Sequence, residues 1–153
     1  MAPTAAYDEI ADWYEHEFLS GLLDDPIGVD SSLRELLGAG GGRCLEIGCG
    51  TGVHAATLAE LGWTPYGVDL SERMLRYAAN RLPVARTDAE RLPVAEAAVD
   101  AVAVVMVHTD MPGYPAVLRE RRGCCAPAAY WCTSAYTRAS AAGSPTVRTP
   151  RRR

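Results

Sequence analysis

Three glycines at alternate positions follow a short apolar segment that contains one acidic residue. The segment is residues 43–47 with Glu46 as its acidic residue, and Gly48, Gly50 and Gly52 come directly after it. Glycine adopts positive φ angles, and without a Cβ it lets the backbone lie against a ligand. The residues that follow predict a helix, whose first N–H groups are free to bind an anion. We therefore expect a buried strand, a tight turn and a helix that together hold a ligand.

A second acidic residue ends the next predicted strand, residues 65–70. This residue, Asp69, lies 21 residues after Gly48, the separation at which a strand–helix–strand unit brings a carboxylate to a ribose. A carboxylate accepts two hydrogen bonds from a cis-diol and so orients a nucleoside. The alternative is an ordinary acidic residue at a helix start, because Ser71 predicts the cap of the following helix.

The spacing of the glycines separates several kinds of nucleotide site. A dinucleotide-binding loop needs a third glycine three places after the second, whereas position 53 is valine. A phosphate loop needs Gly-Lys followed by Ser or Thr, which is absent here. The string Leu-Glu-Ile-Gly-Cys-Gly-Thr-Gly at 45–52 instead resembles motif I of the class I S-adenosylmethionine (SAM)-dependent methyltransferases. Within that class, the chain resembles the small-molecule, type 11-like members.

The resemblance implies SAM as cofactor and assigns residues to each part of it. In the family, the segment Asp-Ala-x-x-Leu-Pro holds the adenine through the acidic side chain and the next backbone N–H. Read without the family, Asp88 would be a loop acid. The implied cofactor residues are Glu46, Gly48, Gly50 and Gly52 for the methionine part, Asp69 for the ribose, and Asp88 and Ala89 for the adenine. Cys49 and Leu70, next to these residues, are further expected cofactor-binding residues.

One histidine is the candidate catalytic residue. Residues 99–107 form the most apolar stretch and predict a central strand buried on both faces. His108 follows this strand, at the edge where open α/β sheets bind ligands. It could act as a general base or orient a substrate. A hydrogen-bonded structural histidine is the alternative.

These segments predict an α/β fold: a Rossmann-like, doubly wound parallel sheet with strand order 3-2-1-4. Residues 129–136 could add a fifth strand, whereas the resembled domain has seven. Residues 4–22 predict an amphipathic helix that packs its apolar stripe on the sheet. Their Tyr-Asp-x-Ile-Ala-x-x-Tyr pattern also resembles the cap helix of many small-molecule methyltransferases, and this resemblance implies a lid. Asp30 or Ser31 could cap a helix ending at Leu37. The expected divisions are N-terminal cap helices and connector at 1–42, a SAM-binding core at 43–120, and a largely disordered tail at 121–153.

Composition limits the setting of the protein. The 153 residues predict one domain, and no run approaches the roughly 20 apolar residues of a membrane span. The N-terminus lacks a signal-peptide pattern, and five irregularly spaced cysteines suggest free thiols in a reducing cytoplasm. We expect no metal site, because Cys124, Cys125 and Cys132 lack partners at ligand spacing. The arginine tail lacks interleaved aromatic residues, so nucleic acid is not an expected partner.

Charge changes abruptly near position 120. Residues 1–120 hold 8 arginines and all 19 acidic residues, a net charge of −11, whereas residues 121–153 hold 7 arginines and no acid. In G/C-rich codons, residues 123–131 can read GGG TGC TGC GCC CCG GCG GCC TAC TGG. Entered two bases later, these bases encode Val-Leu-Arg-Pro-Gly-Gly-Leu-Leu, which resembles the family's segment before its fifth strand. We therefore hypothesise that the sequence is translated out of frame from about residue 121.

The expected activity is in-line transfer of the sulfonium methyl group to a small molecule. The first alternative is a non-catalytic SAM-binding fragment or an inactive remnant, because the chain covers little more than the cofactor half of the resembled domain. The second is a nicotinamide-dependent oxidoreductase, which the glycine spacing disfavours.

Overall fold

The computed structural model of the chain describes residues 5–26, 28–107, 113–117, 119 and 125–134, the last range through its backbone. Five parallel strands form one sheet in the order β3-β2-β1-β4-β5. The strands are β1 Arg43–Ile47, β2 Thr64–Asp69, β3 Val84–Arg86, β4 Val99–Val105 and β5 Cys125–Ser134.

The predicted order 3-2-1-4 is confirmed, and the fifth strand lies parallel to β4. It begins at Cys125, four residues before the predicted start. The chain runs outward from β1 to β3 and then returns to the other side of β1 as β4. Ligands bind at such a reversal, outside the carboxyl ends of the strands. We call the carboxyl ends of β1, β2 and β3 the carboxyl edge.

In the described part of the chain, four α-helical elements accompany the strands, and residues 114–117 are also helical. The helices are α1 Ala11–Trp13, α2 Val29–Leu37, α3 Ala55–Glu60 and α4 Glu72–Ala78. The predicted cap of α4 is confirmed, because the Ser71 hydroxyl accepts a hydrogen bond from the Met74 N–H at 3.1 Å. The predicted cap of α2 is wrong. The Asp25 carboxylate accepts from the N–H groups of Asp30 and Ser31, at 3.0 and 2.9 Å.

Strands β1 and β4 form the centre of the core. On one face of the sheet, Cys44 packs with Leu33 of α2 and Leu58 of α3. On the other face, Ile47 packs with Val104 and their neighbours. This two-sided burial explains the continuous apolar run of β4 and keeps the carboxyl ends of the central strands fixed in place.

Residues 5–22, which we call the cap segment, are not the single amphipathic helix that the sequence predicts. They form 3₁₀ turns at Ala6–Asp8 and Leu19–Leu22, the α1 turn, and a π-helical turn at Tyr14–Phe18. Ile10 and Phe18 of the expected apolar stripe are each 40 % exposed. Within the segment, the Tyr14 ring stacks on the Phe18 ring, with centroids 5.0 Å apart. Within the described residues, no helix has the length and apolarity to cross a membrane.

Candidate functional site

The bend after β1 is held against the end of β2. Gly48, Gly50 and Gly52 have φ angles of 72°, 53° and 77°, a region that other residues enter only with strain. The N–H groups of Gly48 and Cys49 both donate to the Val68 carbonyl, at 2.8 and 3.0 Å. The sequence prediction of a tight glycine turn is therefore confirmed, and the turn lies at the carboxyl edge.

Asp69 joins this bend to the end of β2. Its Oδ2 accepts from the Gly50 N–H at 2.8 Å, and its Oδ1 accepts from the Ser71 N–H at 2.8 Å. Burial raises the pKa of the Asp69 carboxyl, although these two N–H donors oppose the rise. Each carboxylate oxygen has a further lone pair. The arrangement can thus accept two more hydrogen bonds from a ligand such as a cis-diol.

Gly50 and Gly52 have different surroundings. A Cβ added to Gly50 would meet nothing within 4 Å, so the bend borders open space at that point. A Cβ on Gly52 would lie 2.6 Å from Leu82 Cδ2 and 3.2 Å from Ala78 Cα. Close packing against the α4 region therefore already explains the third glycine, whereas the second leaves room for a ligand.

The Cys49 side chain points into the protein. It packs with Leu75 and Leu82, and a Cβ added to Gly67 would lie 2.6 Å from its sulfur. Burial, with the nearby Glu46 and Asp69 charges, raises the pKa of the Cys49 thiol. In this structure the thiol belongs to the core, and the predicted cofactor role of Cys49 would fall to its backbone.

Glu46, in β1 just before the bend, pairs with a histidine that follows the bend. The side chain is 1 % exposed, and its Oε1 lies 2.7 Å from Nδ1 of His54, the residue that precedes α3. The second oxygen, Oε2, is buried and has no hydrogen-bond partner in the described part of the chain. His54 was not among the site residues predicted from the sequence. Its position at a helix start, eight residues after a buried acid, was the available signal.

The loop after β3 reaches the same edge. The Thr87 N–H donates to the Asp69 carbonyl at 2.9 Å, which places Asp88 and Ala89 beside the end of β2. Asp88 is exposed, with its Oδ1 accepting from the Glu90 N–H at 2.9 Å, and Ala89 is buried. Leu70 is half-buried next to Asp69.

The structure thus brings together the predicted residues from β1, β2 and β3 at one edge. The remaining candidate, His108, lies outside the described residues. Across the described ranges, no cluster of three or more His, Cys, Asp or Glu side chains could hold a metal ion.

The cap segment is attached to this edge by polar contacts between residues far apart in sequence, which the sequence pattern does not predict. Arg81, just after α4, forms an ion pair with Glu15 and donates from Nη1 to the Thr51 carbonyl at 2.7 Å. The Asp8 carboxylate accepts from the Ser71 hydroxyl at 2.6 Å. The cap segment is therefore joined both to the bend and to the residue that caps α4.

Comparison with known proteins agrees with this geometry. A family described as a methyltransferase domain matches residues 44–128, more than half of the chain. A protein of Geobacillus sp. (strain WCH70), provisionally named as a methyltransferase, is 38 % identical over 73 residues, covering 47 % of this chain and 30 % of the relative.

Solved structures share the fold. A SAM-dependent methyltransferase of Thermotoga maritima, described as a possible histamine N-methyltransferase, is 26 % identical with a TM-score of 0.69. The match covers 83 % of this chain and 58 % of the Thermotoga maritima chain. A structure of a methyltransferase with the Haloferax volcanii activator Trm112 gives a TM-score of 0.72 at 19 % identity, covering 86 % and 60 %. This chain spans less than two thirds of each relative. By its matched domain, fold and glycine motif, the chain belongs to the class I SAM-dependent methyltransferases, whose cofactor is S-adenosylmethionine.

Proposed function

We propose that the carboxyl edge of this chain binds SAM and that the protein transfers the SAM methyl group to a small molecule. The observation that carries the proposal is the hydrogen bond between the Gly50 N–H and the Asp69 carboxylate. This hydrogen bond holds the glycine bend, which borders open space, next to a carboxylate that can accept further hydrogen bonds.

The residues present fit this cofactor. Within the described ranges, the buried Oε2 of Glu46 has no hydrogen-bond partner, and an ammonium group is a suitable one. The Asp69 oxygens each accept one backbone N–H, which leaves acceptor capacity for a ribose diol. Gly50 leaves space that a Cβ would occupy.

When bound, SAM supplies a methyl group that its sulfonium already activates. The chain therefore has to bind SAM, orient its methyl group toward the acceptor and exclude water from the site. Glu46 would hold the amino-acid part, Asp69 the ribose, and Asp88 with the Ala89 N–H the adenine. The walls of the cofactor site would be formed by Gly48, Gly52 and the backbones of Cys49 and Leu70.

Two observations support a small-molecule acceptor. The cap segment is tied to the bend by Arg81, so it stands where it can cover the reacting end and limit access to it. The Thermotoga maritima relative carries a name that suggests a small amine as acceptor. His108 is the proposed base or substrate-orienting residue.

Binding and turnover test the proposal separately. Calorimetric titration with S-adenosylhomocysteine (SAH) should give one site per chain, and titration with NAD should give none. Transfer of labelled methyl from SAM to a small-molecule extract should then exceed that of an Asp69→Ala variant. Binding without transfer would favour a non-catalytic SAM-binding fragment. A folded protein that binds NAD and not SAH would overturn the assignment.

A further inference from the structure

The Glu46–His54 pair has a feature that binding of the adenosine part does not require. One oxygen of the buried carboxylate is paired with His54 Nδ1, and the other is buried with no hydrogen-bond partner among the residues that the structure describes. Leaving a buried carboxylate oxygen unpaired is costly. A binding site can tolerate this free-energy cost when a charged group of the ligand supplies the missing hydrogen bond.

We propose, on the basis of the function proposed above, that His54 is a positioning residue for the cofactor. It holds Glu46 through Oε1 so that Oε2 faces the ammonium group of the cofactor's amino-acid part. His54 carries a proton while that group is absent, and it releases the proton to solvent when the ammonium group binds.

The surroundings of His54 support this exchange of charge. Burial alone would lower the pKa of His54, but the hydrogen bond and charge of Glu46 on β1 outweigh it, and the pKa is raised above 6.5. Asp30 of α2 and Asp25 before α2 contribute in the same direction. Asp30 also pairs with Arg34 of its own helix, whereas Glu46 pairs directly with His54.

A second cation beside Glu46 changes this balance. The incoming ammonium group repels the imidazolium and competes for the same carboxylate, so the bound state favours neutral His54. Neutral His54 can still donate its Nδ1 proton to Oε1, which keeps the carboxylate oriented. At low pH, binding of the ammonium group therefore releases a proton from His54, and the affinity increases as the pH rises.

The experiment compares two ligands that differ at the amino-acid part. SAH carries the ammonium group, and 5′-methylthioadenosine carries the same adenosine without it. Titration of each between pH 5.5 and 8, in buffers of different ionisation enthalpy, gives affinity and protons released. For SAH we expect proton release and affinity that rises with pH, by at most about tenfold per pH unit for one full proton. For methylthioadenosine we expect neither.

Variants separate positioning from a purely structural role. His54→Asn retains a donor toward Oε1 without titrating, so SAH should bind with a flat pH profile and no proton release. His54→Ala should weaken SAH binding and leave methylthioadenosine binding unchanged. His16→Asn, at an exposed histidine of the cap segment, should keep the wild-type profile.

The outcomes are distinct. SAH binding by the wild-type protein without proton release would overturn the His54 proposal while leaving the proposed function intact. Absence of binding by both ligands would overturn the proposed function itself. Because the wild-type release experiment needs no variant, the proposal can fail even if His54 variants do not fold.

Discussion

The backbone N–H of Gly50 and the Oδ2 of Asp69 are 2.8 Å apart, although 19 residues separate them in sequence. This hydrogen bond joins the bend after β1 to the end of β2. A ligand bound at Gly50 therefore also lies close to Asp69. Cofactor binding at the carboxyl edge, as proposed, requires this hydrogen bond.

Asp69→Asn should weaken SAH binding roughly tenfold to a hundredfold, because it replaces one acceptor of a charge-assisted hydrogen bond. Calorimetry checks this, with Asp24→Asn as the control at an exposed loop residue. Equal affinity in Asp69→Asn and wild type, with both folded, would contradict the ribose role.

Arg81→Gln should loosen the cap segment, because Arg81 joins Glu15 to the Thr51 carbonyl. The Glu15 side chain is only 12 % exposed, so we expect a loss of about 1 kcal/mol and about fivefold faster local opening. Chymotrypsin cleavage near Trp13 and Tyr14 measures this opening.

Arg76→Gln is the matched control for this measurement. It breaks an ion pair with Glu72 in which both side chains are at least 60 % exposed, and cleavage should stay at the wild-type rate. Equal cleavage in Arg81→Gln and Arg76→Gln would show that the Arg81 contacts do not hold the cap segment.

Raising the pH should reduce the stability of the ligand-free protein through His54. The pKa of this histidine is raised in the folded state, so its stabilising contribution is complete below 6.5 and is lost as the pH rises through the folded pKa. Urea unfolding at pH 6 and pH 9 should show the loss in wild type and His16→Asn. A loss of the same size in His54→Asn would contradict the role of this pair.

Acid should weaken the attachment of the cap segment at Asp8. The hydrogen bond from the Ser71 hydroxyl, more than any other contact, holds the pKa of Asp8 below 3.8. Its contribution is therefore present above about pH 4 and is lost as the pH falls through the folded pKa. Asp8→Asn should lose less unfolding free energy than wild type between pH 5 and pH 3. Equal losses would mean that Asp8 does not stabilise the fold.

The gene sequence tests the hypothesis of an altered frame. Codons for residues 123–131 that encode Val-Leu-Arg-Pro-Gly-Gly in the neighbouring frame would support it, and codons that cannot do so would exclude it. The backbone of residues 125–134 already forms β5 beside β4. The division of 121–153 as a separate tail stays a prediction, and most of that range lies outside the described residues.

The sequence predicted what depends on local chemistry and on the buried pattern. Glycines at 48, 50 and 52 require a bend, Ser71 caps its own helix, and the apolar run of β4 must be central. Contacts between residues far apart in sequence could not be predicted in this way. The Asp8–Ser71 and Glu15–Arg81 contacts join residues more than 60 positions apart.

The cap segment shows a second limit of prediction. Apolar residues three and four apart are shared by 3₁₀, α and π turns, so the pattern that predicts one amphipathic helix does not distinguish them. Polar contacts with α4 then place this segment with Ile10 and Phe18 partly in solvent. The Asp25 cap was missed because the loop turns back at Gly28, whose φ is 71°.

The most direct test is the change in backbone amide chemical shifts when SAH is added to the ¹⁵N-labelled protein. We expect SAH to cause the largest shifts at Gly48, Gly50, Asp69, Leu70 and Ala89, and NAD to cause no such shifts. Unmoved amides at these positions, with SAH perturbing another surface or none, would contradict the proposal that the carboxyl edge holds the cofactor.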